Sequence, residues 1–478
     1  MRTAWYLLAV FWASTGCGTK IAQTTYRPEG DGTEIPKAPP LCGPTLKERL
    51  TVTRIDVDSD IRYKRAGFGG VARDERLAIG VQSSGAAQVA WLDNALANVH
   101  VTPLTPDLIR AGPDTVIEGF DIGGIVAHDD GFAVLTRRND PGEAIGDIPG
   151  GSTVAPAAFL VRVRDQREVF AAPLTGTLNI TDAPDDQRRD CSTGLFGRLA
   201  FNGSFYGSYF VVRGCRGDFA DGRYGDKLVY ADTNGAFLRG GWTWRCSRDL
   251  GLRLLPETTA FTALCISDGA PQEGVNLLTG PQTPRLLAHE YTVPGYSGGE
   301  FGSVIKLAAD KGYFVGWLSR GVRDPLAATI EVAMDTHDIG YALLSKDHQQ
   351  LGSARWLIKT PDVDEVNLHL APYGPDRVLA IWEAVNTPQC NAGVCFGPYG
   401  HTHVQLLHLD GSPASREEII DVPPNGGDDI AVLADGDLAW VFVAETRDYS
   451  APLGITNGAP NVPPMRQLSI ARFANCSN

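Results

Sequence analysis

Two stretches of the chain share one nine-residue template: CSTGLFGRL at residues 191–199 and CSRDLGLRL at residues 246–254, both reading Cys-Ser-x-x-Leu-x-x-Arg-Leu. Each leads into an apolar strand, a tight turn and a second apolar strand. Working outward, that hairpin can be read seven times, with turns at Arg73-Asp74-Glu75, Asp129-Asp130-Gly131, Asn202-Gly203-Ser204, Glu257-Thr258-Thr259, Asp310-Lys311-Gly312, Gly374-Pro375-Asp376 and Asp435-Gly436. The spacing of roughly 50 to 75 residues suits a unit of four strands and is too long for a short solenoid repeat.

A third strand follows each hairpin, and in six of the seven units a fourth follows it. AFLVRVRD at 158–165 shows the pattern, with Leu160, Arg162 and Arg164 on one side and Phe159, Val161 and Val163 on the other. Period-two alternation marks a strand with a buried face. The composition agrees, since 54 Gly and 31 Pro with only three Met favour many short strands joined by turns.

The seventh unit, ending RQLSIARFANC, lacks a fourth strand, and RLTVTRIDVD at 49–58 is a strand with nothing before it to pair with. Joining the two closes a ring. The expected fold is therefore all-β: a seven-bladed β-propeller of four-stranded antiparallel blades closed by the N-terminal strand, with six or eight blades as alternatives. Cys42 and Cys476 flank the closing strands and are expected to form a disulfide where other blades have a covalent turn. Cys191 with Cys215, and Cys246 with Cys265, would each clasp the ends of one hairpin, and Cys390 with Cys395 would pin a loop in the sixth unit.

Residues 1–17 read as an export signal: Arg2, a ten-residue apolar run from Ala4 to Ala13, then small residues. The run is about half the length needed to cross a bilayer as a helix. Cys17 resembles the acylated cysteine of a bacterial lipobox, although Ser14 stands where an aliphatic residue is usual. Lipid on Cys17 would leave eight of the nine cysteines, the even set that a disulfide framework needs. Residues 18–41, rich in Pro and Gly, read as a flexible tether, and 42–478 as the propeller. In this the chain resembles exported bacterial lipoproteins whose whole mature body is a β-propeller. The resemblance implies a single-copy protein at the outer membrane or cell surface, touching the membrane only through its lipid.

The net charge of -14 argues against a nucleic-acid partner. In a propeller, the loops joining second to third strands, and each blade to the next, share one face. That face receives the long segments 104–121, 137–156, 176–191, 213–225, 386–402 and 445–464, and is where a ligand is expected. Its candidate residues are Asp121, Asp428 and Asp429 before innermost strands, the template arginines Arg198 and Arg253, and Trp242, Trp244 and Arg245 in GGWTWRC. Arginine forks to carboxylates and tryptophan stacks on sugars, while packing between blades is the competing role for the tryptophans.

The carboxylates could serve Ca²⁺, but no calcium-loop order is present, and no cofactor is expected. His401 and His403 project from one side of a strand without a third ligand at a recognisable spacing, a weak metal pattern. Phosphate-loop, dinucleotide and nucleophile-elbow motifs are missing. The expected function is binding of a protein or glycan partner by the loop-bearing face, without catalysis. Polysaccharide hydrolysis or lysis by rim carboxylates, and an envelope scaffold, are the alternatives.

Overall fold

The computed structural model describes residues 42–61, 65–68, 71–74, 77–93, 98–139, 156–174, 190–214, 224–244, 252–267, 274–280, 285–290, 301–323, 336–391, 394–424, 428–443, 448–449 and 465–476. Seven antiparallel sheets of four or more strands stand in chain order. Their innermost strands are Ala78–Val81, Gly124–His128, Asp190–Phe201, Arg253–Pro256, Phe301–Leu307, Val363–Tyr373 and Ala431–Val432, opening blades 1 to 7. Each innermost strand touches the next, and the seventh touches the first, so the ring is closed. The protein is a seven-bladed β-propeller.

Closure occurs where the sequence places it. Leu50–Asp56 is the outer strand of blade 7, running antiparallel to Gln467–Phe473 from Leu50 opposite Phe473 to Asp56 opposite Gln467. Cys42 and Cys476 are bridged with their Cα atoms 5.6 Å apart, across a sequence separation of 434. Tyr373 of blade 6 reinforces the clasp: its buried hydroxyl accepts from Arg49 Nη1 at 3.0 Å and from the Cys476 amide at 2.7 Å. The Glu418 carboxylate accepts the amides of Leu46 and Lys47, each at 3.0 Å.

Seven apolar clusters fill the ring, one in each seam between neighbouring blades. Alternation along a middle strand therefore selects between two seams. In Phe261–Ser267 every residue is buried, with Leu264 and Ile266 packing toward blade 5 and Ala263 and Cys265 toward blade 3. No seam can be lost without uncovering a face of each of two blades.

The turns are local chemistry. In Gln82–Gly85, Asp232–Gly235, His408–Gly411 and Leu433–Gly436 the fourth residue's amide bonds back to the first carbonyl, and that residue is a glycine with positive φ. Glycine reaches that region without a Cβ clash. Thr105–Leu108 and Ser345–His348 make the same bond with Leu108 and His348 at φ 60° and 59°.

Blade 1 differs from the sequence reading. Arg65–Phe68 and Val71–Asp74 form a separate two-stranded hairpin, so the turn expected at Arg73-Asp74-Glu75 is not a blade turn. The blade opens at Ala78 and first turns at Ser83–Gly85. For the same reason 104–121 is no loop insertion: it holds the third-to-fourth turn and the outer strand Thr115–Glu118.

Candidate functional site

Repeat-equivalent positions bring Arg198 and Arg253 together at the channel. Both lie on the innermost strands of their blades, Arg198 opposite Tyr209 and Arg253 opposite Leu264. Both are buried, and both donate to main-chain carbonyls of their own lead-in, Arg198 to Gly197 at 3.0 Å and Arg253 to Leu252 at 2.9 Å. Asp429, in the lead-in to blade 7, reaches across to both: its carboxylate lies 3.2 Å from Arg253 Nε and 4.0 Å from Arg198 Nε. The Asp429 side chain is 43% exposed while those of Arg198 and Arg253 are 7% and 4% exposed, so the carboxylate is the solvent-facing member of the trio.

Asp428 has a different environment from its neighbour. Its carboxylate accepts the Ile79 amide of blade 1 at 2.8 Å. Burial raises its pKa to about 6, the Asp429 charge adds to the rise, and Arg198 works against it. The Asp428 carboxyl is therefore poised to take a proton just below neutral pH, with the Asp429 charge beside it favouring the protonated form.

The other expected site residues lie elsewhere or outside the described residues. Asp121 is buried before blade 2, 3.0 Å from Arg137 Nε, and accepts the Ile122 amide. Trp242 is 1% exposed, packed in the seam of blades 3 and 4 edge-on to Tyr209, so packing claims its ring and no ligand reaches it. Trp244 ends the outer strand of blade 3 with its side chain outside the described residues, as Arg245 is entirely. His401 and His403 have ring centroids 6.4 Å apart, but His403 bonds Glu417 at 2.6 Å and stacks on Trp382. No third metal donor joins them among the described residues. Cys390 and Cys395 are bridged, and Cys265 is disulfide-bonded. Cys17, Cys215, Cys246 and the side chain of Cys191 lie outside the described residues.

Asp364 and Glu365, two acids at the start of an innermost strand, belong to a buried acidic cluster between blades 5 and 6. Asp338, Asp364 and Glu365 are each at most 1% exposed, with His337 beside them, while the buried Glu383 and His369 both bond Asn367. The inner strand of blade 6 is bulged between Val366 and His369, which redirects its side chains. Asp364 Oδ1 accepts both the amide and Nδ1–H of His337, each at 2.7 Å. Asn367 Nδ2 donates to Glu383 at 2.7 Å, and Asp338 accepts the Thr360 amide at 2.9 Å. Burial, reinforced by Asp338 and Asp364, pushes Glu365 up from 4.5 to about 9, and Asp338 is raised as well. The visible signal is a pair of consecutive acids, Asp364-Glu365, at the start of the innermost strand Val363–Tyr373.

That shift has a stability consequence. Between pH 4.5 and about 9 the folded protein keeps a proton on Glu365 that the unfolded chain releases, so stability falls as pH rises through this window. Each pH unit inside it costs up to about 1.4 kcal/mol. Glu365→Gln removes the titration, and urea melts are expected to show a gain over the parent that is larger at pH 8 than at pH 5. Equal shifts at both pH values would show that Glu365 is ionised in the fold.

On the opposite face, between the tight turns of blades 4 and 5, lies a cavity of about 430 Å³ lined by residues including Glu257, Thr262, Lys306, Tyr313 and His348. Tyr313 donates to Glu257 at 2.6 Å, Thr262 Oγ1 lies 2.8 Å from His348 Nε2, and the Tyr313 and His348 rings stack 4.7 Å apart. A related contact, Tyr206 Oη to His128 Nε2 at 2.7 Å, closes the seam of blades 2 and 3. The recurrence marks both networks as seam closures.

No protein-family model matches the chain, and no curated protein matches it in sequence. Among solved structures, the WD40 domain of SCAP from fission yeast is similar at 10% identity and a TM-score of 0.39, covering 90% of this chain and 99% of that one. An oligogalacturonate lyase in complex with manganese is similar at 9% identity and a TM-score of 0.39, covering 88% and 98%. A protein of unknown function from Dyadobacter fermentans is similar at 12% identity and a TM-score of 0.39, covering 74% and 98%. Likeness this remote adds nothing to the sheet topology, which itself defines the fold.

Proposed function

We propose that this is a surface-tethered binding propeller, lipid-anchored through Cys17, that takes an acidic protein or glycan partner at the channel mouth of its loop-bearing face. The observation that carries this reading is the Arg198–Asp429–Arg253 arrangement. Two preoriented guanidinium groups face one exposed carboxylate, and a ligand carboxylate can exchange for Asp429 without uncovering a buried charge. Acidic oligosaccharides and their neutral counterparts, offered to the parent and to an Arg198→Ala, Arg253→Ala double variant, test it. The parent should prefer the acidic probes, and the double variant should lose at least about thirtyfold in affinity. Equal binding by both proteins would remove the arginines from the site.

A second reading rests on Asp428, whose carboxyl is raised to about 6 with the Asp429 carboxylate next to it in sequence. Such a pair supplies a general acid and a charge-bearing partner for cleavage of a polysaccharide. In the same experiment, turnover of an acidic oligosaccharide by the parent that disappears in Asp428→Asn would replace the binding reading with the enzymatic one.

A further inference from the structure

Cys390 and Cys395 face each other across a short hairpin in blade 6, with Gln389 opposite Phe396 and Asn391 opposite Val394. The backbone ladder holds this hairpin whether or not the sulfurs are joined. Both cysteines are half-buried, within reach of an external thiol. One donor atom each from Cys395, His337 and Asp364 lie within 4.8 Å of one another.

His337 is 4% exposed and held in one tautomer. Its Nδ1–H is committed to Asp364 Oδ1, and its Nε2 has no hydrogen-bond partner among the described residues. A buried polar atom left unsatisfied calls for an explanation, and a redox role is one of the few available. While Cys395 is tied to Cys390 it has no proton to give and no charge to share. Once reduced, it supplies the partner that His337 lacks. Asp364 already accepts twice from His337, which suits an orienting carboxylate better than a metal ligand.

We propose that Cys390–Cys395 is an exchangeable disulfide in which His337, oriented by Asp364, stabilises the thiolate of Cys395. A thiolate of an external dithiol attacks Cys390 Sγ, the Cys390–Cys395 bond breaks, and Cys395 leaves as a thiolate beside protonated His337. The dithiol's second sulfur then attacks the mixed disulfide and releases Cys390. Two electrons and two protons pass from the dithiol to the protein, and the dithiol becomes a disulfide. The reverse sequence reduces an external disulfide. The other titratable groups bearing on the site are Asp338 and Glu365, with Lys359 acting on Asp338.

The full chain, equilibrated in dithiothreitol redox buffers without denaturant, trapped with iodoacetamide and peptide-mapped, tests the exchange. Cys390–Cys395 should open in buffers that leave Cys42–Cys476 closed. In a Cys390→Ser protein the alkylation rate of Cys395 should rise with a midpoint at least about one unit below the usual thiol value of ~8.5. Adding His337→Gln should return the midpoint to the ordinary range and slow alkylation at pH 7 about tenfold. Should that variant fail to fold, the Cys390→Ser profile decides alone. A midpoint at or above the ordinary value, or a bridge that opens no sooner than Cys42–Cys476, would overturn the proposal.

Discussion

Replacing Cys42 and Cys476 with serine is expected to lower the unfolding free energy by up to about 5 kcal/mol, the largest effect of any two-atom change in the molecule. The bridge spans a separation of 434, against 5 for Cys390–Cys395, and the entropy removed from the unfolded chain grows with that length. The chain-entropy formula gives about 6 kcal/mol for the long loop, which residual structure in the unfolded chain lowers, and about 2 kcal/mol for the short bridge. Urea unfolding of the two serine variants should therefore rank them in that order. Native hydrogen exchange should show why, because Leu50–Asp56 joins its sheet through no covalent turn. Its amides should lose protection first in the Cys42→Ser, Cys476→Ser protein. Equal stabilities of the two variants would mean that the ladder and the Tyr373 clasp close the ring unaided.

Trp242→Ala is expected to cost about 3–5 kcal/mol, the usual range for removing a buried aromatic ring. The ring fills the seam of blades 3 and 4 with Tyr209, Leu228 and Phe261. Its Nε1 has no hydrogen-bond partner among the described residues, so Trp242→Phe should break no such bond and cost under about 1.5 kcal/mol. Measuring both variants by denaturant melts, with binding of acidic oligosaccharides alongside, separates packing from recognition. Packing predicts a large stability gap between Ala and Phe and unchanged affinity in the Phe variant. A loss of affinity in Trp242→Phe at full stability would return this tryptophan to the ligand face.

The ring was legible because its evidence is periodic and covalent. Six of the seven hairpin turns, the orphan strand at 49–58 and the terminal cysteines are local signals that require no knowledge of packing. Blade 1 was misread because Gln82-Ser83-Ser84-Gly85 carries a weaker turn signal than the charged Arg73-Asp74-Glu75, and a hairpin outside the blades has the same local grammar as one within them. Arg198 and Arg253 could be singled out through the repeat, but their meeting with Asp429 depends on the ring bringing blade 7 opposite blades 3 and 4. The acidic cluster was hidden for a related reason. Asp338 and Glu365 lie on strands of different blades, and only the seam makes them neighbours that share a proton.

Everything placed at the channel mouth depends on the N-terminal segment lying beside the last strand. The most direct test is a proteolytic digest under non-reducing conditions, with the partner of Cys42 identified by mass spectrometry. The ring predicts a single cross-linked species joining the peptide of Cys42 to that of Cys476. Cys42 found free, or joined to any other cysteine, would contradict the closure and with it the assignment of the two faces.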